Sequence, residues 1–145
     1  MQESDVMDIK QQLKDFEGYV PYAYPDSLGF LTIGVGRLID KRKGGRLSPD
    51  EINLMLDNDI AEKRAQVFDK LPWVASLNEP RNAVLVGMCF QMGIDGLLGF
   101  SQTLAAIRDG HYDHAAEQML QSTWATQTPA RAKRMSRQIA TGEWQ

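Results

Sequence analysis

The sequence predicts an α+β protein with a small β-hairpin lobe and a larger α-helical lobe joined by one long helix. Three observations carry that expectation. Between Tyr22 and Gly36, aromatic and β-branched residues alternate with Gly, Pro and Asp, the pattern of short strands and tight turns. Ser48-Pro49-Asp50-Glu51 opens a helix with an N-cap serine, a proline at the first position and a capping-box glutamate. From Leu71 to the end, apolar residues recur at helical spacing, punctuated by Gly93, Gly110 and Gly142.

Taken in chain order, Ser4 is the expected cap of a first helix. Ile9, Leu13, Phe16 and Val20 follow at helical spacing, and Gly18 is its stop. The β lobe is expected over about 18–47, including a charged, glycine-containing loop from Asp40 to Arg46. The connecting helix runs over about 49–70, with Ile52, Met55, Leu56, Asp59, Ile60 and Lys63 along one side. Pro80 begins a nearly all-apolar segment that reaches Met92 and stops at Gly93; a helix apolar all round belongs at the centre of a fold. Further helices fit 101–109, 112–123 and 129–141, the last with Thr128 as cap, Pro129 at its first position and Gly142 beyond its end. The whole of 1–145 reads as a single domain, the helical lobe of about 71–145 packed with the N-terminal helix.

The composition is that of a globular chain, 43% hydrophobic and 24% charged over 145 residues, which excludes disordered and fibrous classes. The formal net charge is −3, but residues 121–145 carry Arg131, Lys133, Arg134 and Arg137 against Glu143 alone. A basic end on an acidic body fits an anionic partner or a solvated helix face, and charge alone does not separate the two. There is no reason here to invoke nucleic acid. The single cysteine, Cys89, excludes an internal disulfide and sits in an apolar run, where a buried inert thiol is expected. His111 and His114 have no third metal ligand near them in sequence, so no metal is expected. The acidic N-terminus precedes no long apolar stretch, so neither a signal peptide nor a membrane span is expected.

The residues that suggest chemistry lie around the hairpin. Glu17 continues the apolar stripe of the first helix and stands at its C-terminal end; burial and the helix dipole would both favour its protonated form, as a general acid requires. Asp26 and Thr32 lie symmetrically about Gly29. In a hairpin turning at Leu28-Gly29-Phe30 they would be cross-strand partners about 5 Å apart, able to hold one water together. A protonated acid on one side and a water-holding carboxylate on the other is what an inverting glycosidase needs. By spacing alone, the same groups also fit a solvated hairpin.

Glu17-Gly18, Asp26, Thr32 and the following Ile33-Gly34-Val35-Gly36 resemble the catalytic set of the phage-type lysozymes, glycoside hydrolase family 24. The likeness to the T-even branch continues through Phe90-Gln91-Met92-Gly93, Gly99-Phe100, Trp124, Gln127-Thr128-Pro129-Ala130-Arg131-Ala132-Lys133-Arg134 and Thr141-Gly142-Glu143-Trp144, and covers roughly 9–144. The resemblance implies a lysozyme-like fold and hydrolysis, with inversion and no cofactor, of the β-1,4 bond between N-acetylmuramic acid and N-acetylglucosamine in peptidoglycan. Glu17 would be the general acid, with Asp26 and Thr32 holding the water. Gln91, Phe100, Trp124, Gln127, Thr128 and Arg131 would bind substrate.

Two departures stand out. Arg37 occupies the place of a histidine in the T-even enzymes, and its matching partner is Asp59, so a structural ion pair between Arg37 and Asp59 is expected. The stretch between Thr32 and Asp59 is also shorter than in that branch, so the β lobe is trimmed. The implied role is host-cell lysis by a monomeric endolysin, held in the host cytoplasm until a holin or another membrane permeabiliser lets it reach the wall. The alternatives are a virion-associated or secreted lysozyme used for entry or attack, or a catalytically inactive wall-binding domain. A transglycosylase would need the acid but no water-holding carboxylate.

Overall fold

The computed structural model describes the backbone of residues 3–39 and 46–145, and the side chains from residue 9 onward within them. Residues 40–45, most of the expected charged loop, lie outside the described residues, as does the side chain of the expected cap Ser4. The chain forms two compact units, Met1–Leu54 and Met55–Gln145, whose division falls inside one long helix.

The first unit starts with α1 (Glu3–Glu17), whose last turn is closed by the Gly18 amide donating to the Lys14 carbonyl at 2.9 Å. Three antiparallel strands follow in the order β1 (Val20–Pro25), β2 (Leu31–Gly34) and β3 (Arg37–Leu38). In the β1–β2 turn the Gly29 amide donates to the Asp26 carbonyl (3.0 Å), and Gly29 takes a left-handed φ of 85°. This tight turn centres the hairpin one residue earlier than expected. Tyr24 opposes Thr32, Pro25 opposes Leu31, and the Asp26 amide donates to the Phe30 carbonyl at 2.8 Å. Asp26 and Thr32 are therefore not direct cross-strand partners. They are diagonal neighbours on one face of the ladder, because residues two apart on a strand point the same way.

Among the described residues of this unit only Thr32 is buried; Ile9, Leu13 and Phe16 of α1 are exposed. The unit's order comes from backbone hydrogen bonds and caps. At the start of α2 (Pro49–Lys70) the expected capping box is present: the Glu51 amide donates to Ser48 Oγ (3.2 Å) and the Ser48 amide to Glu51 Oε1 (3.0 Å).

The second unit holds the remainder of α2, a 3₁₀ turn (Pro72–Ser76) and five further helices. α3 (Glu79–Leu98) is capped by Asn78, whose side chain accepts the Arg81 amide, and is broken at Gly93, which has φ 79° and ψ 168°. The break falls where the sequence placed the stop, but the chain resumes helical turns to Leu98. α4 (Ser101–Arg108) follows. The expected helix over 112–123 is two: α5 (Tyr112–Leu120) ends, and the Ser122 hydroxyl accepts the Ala125 amide to cap a short α6 (Thr123–Gln127). α7 (Pro129–Thr141) begins with its proline, but Thr128 does not cap it; the Thr128 hydroxyl donates backwards to the Trp124 carbonyl at 3.0 Å.

The apolar middle of α3 is central, as its composition requires. Val84, Leu85, Met88 and Cys89 are at most 1% exposed and pack with Leu97, Ile107, Met119 and Ile139. α7 lies against α3, α5 and α6, and α5 against α4. Burial pushes the Cys89 thiol above its ordinary value, so at neutral pH it is a thiol and an inert core group. No single helix among the described residues is long and apolar enough to cross a membrane.

Arg81 locks the last helix to the third. Its guanidinium donates to the carbonyls of Ile139 (2.7 Å) and Ala140 (3.1 Å) and stacks 3.6 Å from the Tyr112 ring centroid. It thereby satisfies carbonyls that the end of α7 leaves without helical partners. Arg81→Met keeps the apolar stem but removes both donors and the cation. It is expected to cost about 2–3 kcal/mol in urea unfolding with an unchanged m-value; a loss under 0.5 kcal/mol would show the lock to be idle.

Candidate active site

The candidate catalytic groups all lie in the first unit, on a helix end and one hairpin. Glu17 is the last residue of α1, and its side chain is exposed rather than sunk in an apolar stripe as expected. What fixes it is backbone. Gly36, in the turn between β2 and β3, has φ 64°, and a methyl carbon added there would stand 2.6 Å from Glu17 Oε2 and 2.8 Å from its Cβ. The glutamate thus lies directly on the bare Cα of Gly36.

Asp26 is half-buried and does two jobs with two oxygens. Its Oδ1 accepts the amides of Leu28 (2.9 Å) and Phe30 (2.8 Å), which closes the turn as an Asx motif. Oδ2 takes no part in either bond and remains an acceptor. Thr32 is 6% exposed, and its hydroxyl donates to the Phe30 carbonyl at 3.3 Å, so that its lone pairs are the atoms left to offer. Both groups have therefore committed their structural bonds and retain acceptors on the same face of the ladder. That arrangement suits holding a water by its two hydrogens, with the water's lone pair directed away from the protein.

Arg37 on β3 has its described ion pair with Glu51, 2.8 Å away at the start of α2. The capping-box spacing of Ser48 and Glu51, which places Glu51 at the helix start, is the sequence signal for this pair. Glu51 gathers the Ser48 amide and the Arg37 guanidinium on one oxygen. The Ser48 backbone and side chain, then the positive charge of Arg37, hold its carboxyl below the usual 4.5.

The residues expected to bind substrate lie in the second unit. Trp124 is buried in the core and donates from Nε1 to Gln91 Oε1 at 2.9 Å. Phe100 meets it edge-on, with ring centroids 6.0 Å apart and planes at 87°. Gln91 and Gln127 are exposed, and the hydroxyl of half-buried Thr128 is taken by Trp124, as described. Arg131 donates from Nη2 to the Gly87 carbonyl (3.2 Å), tying α7 to α3.

Two adjoining grooves open beside Phe100 and Trp124, one of about 340 Å³ lined by Gly96, Gly99, Phe100 and 122–124, the other of about 380 Å³. The second is polar and is lined by Ser101, Gln102, Thr103, Gln118 and Gln121, none of them singled out from the sequence. Gln118 Nε2 donates to Gln102 Oε1 at 3.4 Å, while Gln118 Oε1 is buried without a partner among the described residues. Such an oxygen is costly to bury and is a ready acceptor for a ligand O–H or N–H. In sequence these glutamines look like a solvated helix surface, and only the packing of α4 on α5 brings Gln102 and Gln118 together. Among the described residues no group of three His, Cys, Asp or Glu is placed to hold a metal.

An α+β chain with a helix-end glutamate, a hairpin aspartate–threonine pair and a polar groove on its helical unit has the parts of a polysaccharide hydrolase. The family model described as phage lysozyme matches residues 14–138, and the chain belongs to that family. It is a lysozyme, and so a glycoside hydrolase. It is 30% identical to the probable T4-type lysozyme 1 of Dictyostelium discoideum, over 94% of this chain and 96% of that one. It is 27% identical to the pre-baseplate central spike protein of Enterobacteria phage T4, over 94% of this chain but 28% of that protein. A peptidoglycan hydrolase of Pseudomonas phage phiKMV is 27% identical over 97% of this chain and 16% of its own length.

The lowered Glu51 carboxyl has a signed consequence. A group depressed in the fold stabilises above its unfolded value, and that stabilisation is lost as pH falls through the folded one. The melting temperature of wild type should therefore exceed that of Glu51→Gln at pH 7, the gap narrowing below about pH 4.5. A gap that stays constant or widens on acidification would refute the Glu51 assignment.

Proposed function

We propose that this lysozyme hydrolyses the β-1,4 bond between N-acetylmuramic acid and N-acetylglucosamine in peptidoglycan by single displacement with inversion. The observation that carries the reading is the division of labour at Asp26, one oxygen bound to the turn and the other outside those bonds, on the ladder face that also carries Thr32. In the proposed reaction Glu17 gives its proton to the leaving glycosidic oxygen as the C1–O bond breaks. A water held by Asp26 and Thr32 attacks C1 from the opposite face, and its proton passes to Asp26. No cofactor enters the scheme.

The saccharide would be held on the second unit by Gln91, Phe100, Gln127 and Arg131, with Trp124 and Thr128 stiffening the wall from inside. The groove of Gln102 and Gln118 extends this surface, and the open acceptor of Gln118 suits an acetamide N–H or a sugar hydroxyl. The proposed role is lysis of a bacterial host by a monomer that depends on a holin or other permeabiliser to reach the wall. A second reading, an enzyme of cell entry, is favoured by the likeness to a phage central spike protein. Expression in bacteria, with and without chloroform, separates the two from spontaneous export: lysis only after permeabilisation fits an enzyme that needs a release partner. We also propose that Arg37 pairs with Asp59, for which a double-mutant cycle is the measure.

Glu17→Gln should leave the fold intact and lower the rate of wall hydrolysis by about 10²–10⁴-fold. Asp26→Asn should be comparably damaging without unfolding the hairpin, since an amide oxygen still accepts from Leu28 and Phe30 while its NH₂ cannot take a proton. NMR of the nascent product should show the α-anomer. Release of the β-anomer, or a Glu17→Gln variant within threefold of wild type, would refute the mechanism.

Gln118→Leu removes a buried acceptor and its ligand contact together. We expect a higher melting temperature and a several-fold higher KM with kcat little changed. An unaltered KM would remove this groove from the site.

A further inference from the structure

We infer that Gly36 is a positioning residue for the reaction: its missing side chain is the seat on which the Glu17 carboxyl is set against the hairpin that carries Asp26 and Thr32. The inference rests on Glu17 being the general acid. Its evidence is a contrast between two glycines in one turn. Gly34 and Gly36 both adopt left-handed backbone, with φ 68° and 64°, so each would strain any L side chain by a similar amount. Their surroundings differ. A methyl carbon at Gly34 would meet nothing within 4 Å, whereas one at Gly36 would stand 2.6, 2.8 and 3.0 Å from Oε2, Cβ and Cδ of Glu17.

The 2.8 Å contact matters most. The carboxyl oxygen can swing aside by rotation about χ angles, but Cβ is fixed to the α1 backbone. An added methyl must therefore push the end of α1 and the β2–β3 turn apart. The topology explains why these two atoms meet. Val20 opposes Gly34, and continuing that register beyond the ladder sets Gly36 across from Gly18, next to Glu17.

The chemistry follows from the shared strand. β2 carries Thr32 and ends at Gly34, two residues before the seat, so one short backbone segment spaces the acid from the water-holding pair. In an inverting glycosidase that spacing decides whether a water fits between the two carboxyl groups, roughly 6.5–9.5 Å apart. Glu17 is exposed, so burial does not hold it; contact with Gly36 does.

The experiment compares Gly36→Ala with Gly34→Ala, reading reducing-end release from soluble, peptide-free glycan strands of peptidoglycan at a temperature where near-UV circular dichroism shows both folded. Both variants should lose thermal stability from the backbone strain, Gly36→Ala somewhat more because its methyl also meets Glu17 Cβ. Gly36→Ala alone should lose about 10²-fold in kcat, with KM within about twofold, as expected for an acid displaced by the better part of an ångström. Gly34→Ala should keep kcat within about threefold. If alanine prevents folding, the asparagine pair replaces it, since Asn tolerates left-handed backbone better.

Equal losses in the Gly36 and Gly34 variants, or a loss carried by KM, would overturn the proposal. So would Gly36 variants that never fold while the Gly34 variants do, since the contact would then govern folding alone. A Glu17→Gln control separates the two layers. If that variant remains active, the assignment of the acid fails; if it is dead and the glycine variants match, only the seat fails.

Discussion

The Asp26 carboxylate accepts the amides of Leu28 and Phe30, and the geometry of the hairpin follows from those two bonds. They settle the turn, the turn settles the register of β1 on β2, and the register puts Thr32 on the face where Asp26 keeps its second oxygen. The same ladder ends at Gly34 and leads into the turn that receives Glu17. A group that builds the turn is thus one of the groups proposed to do the chemistry. Hydrogen bonds from neutral amides to a carboxylate are among the stronger ones, so the bonds that close the turn also fix where the second Asp26 oxygen stands.

The two units are stabilised by different means. The second has a close-packed core in which Leu85, Met88, Ile107, Met119 and Ile139 are essentially sealed from water, each contributing on the order of 1.5–3 kcal/mol by burial. Within the first unit's own described residues there is no such core. Its order depends on the Asx turn, the strand ladder, the Ser48 capping box and the exposed Arg37–Glu51 pair, the last of which contributes roughly 0–1 kcal/mol. The groups proposed to be catalytic lie on backbone-ordered segments, which are free of the demand that a core makes for apolar side chains. They need other constraints on position, and contacts with bare glycine supply one.

The groove beside α4 and α5 shows a related compromise. Trp124 and Phe100 are held edge to face, and the Trp124 indole nitrogen is spent on Gln91, so this wall is rigid and has few free donors. The adjoining surface is lined by amides, and the buried Gln118 Oε1 has no partner among the described residues. A fold selected only for stability would carry an apolar residue in place of Gln118. Its presence in a groove fits the binding role proposed for that surface, held at some cost in stability.

Features that depend on neighbouring residues were legible in the sequence. The Ser48–Glu51 box, the Pro129 helix start, the interruption at Gly93 and the apolar centre of α3 are specified within one or two turns of chain, and the short strands and tight turns between Tyr22 and Gly36 follow from the alternation there. The motif around Glu17, Asp26 and Thr32 was legible as well, and with it the family. The hairpin register was not, because it depends on where the turn closes: the Asp26 carboxylate draws that point one residue earlier than symmetry about Gly29 suggests. Nor were the ion pair of Arg37 with Glu51, the pairing of Gln102 with Gln118, the burial of Trp124, or the capture of the α7 terminus by Arg81, 58 positions before the carbonyl it binds. Local propensity and hydrophobic period determine which elements form and where they begin. Which side chains meet across them is decided only when the elements pack, because each contact joins residues that carry no trace of one another in the intervening chain.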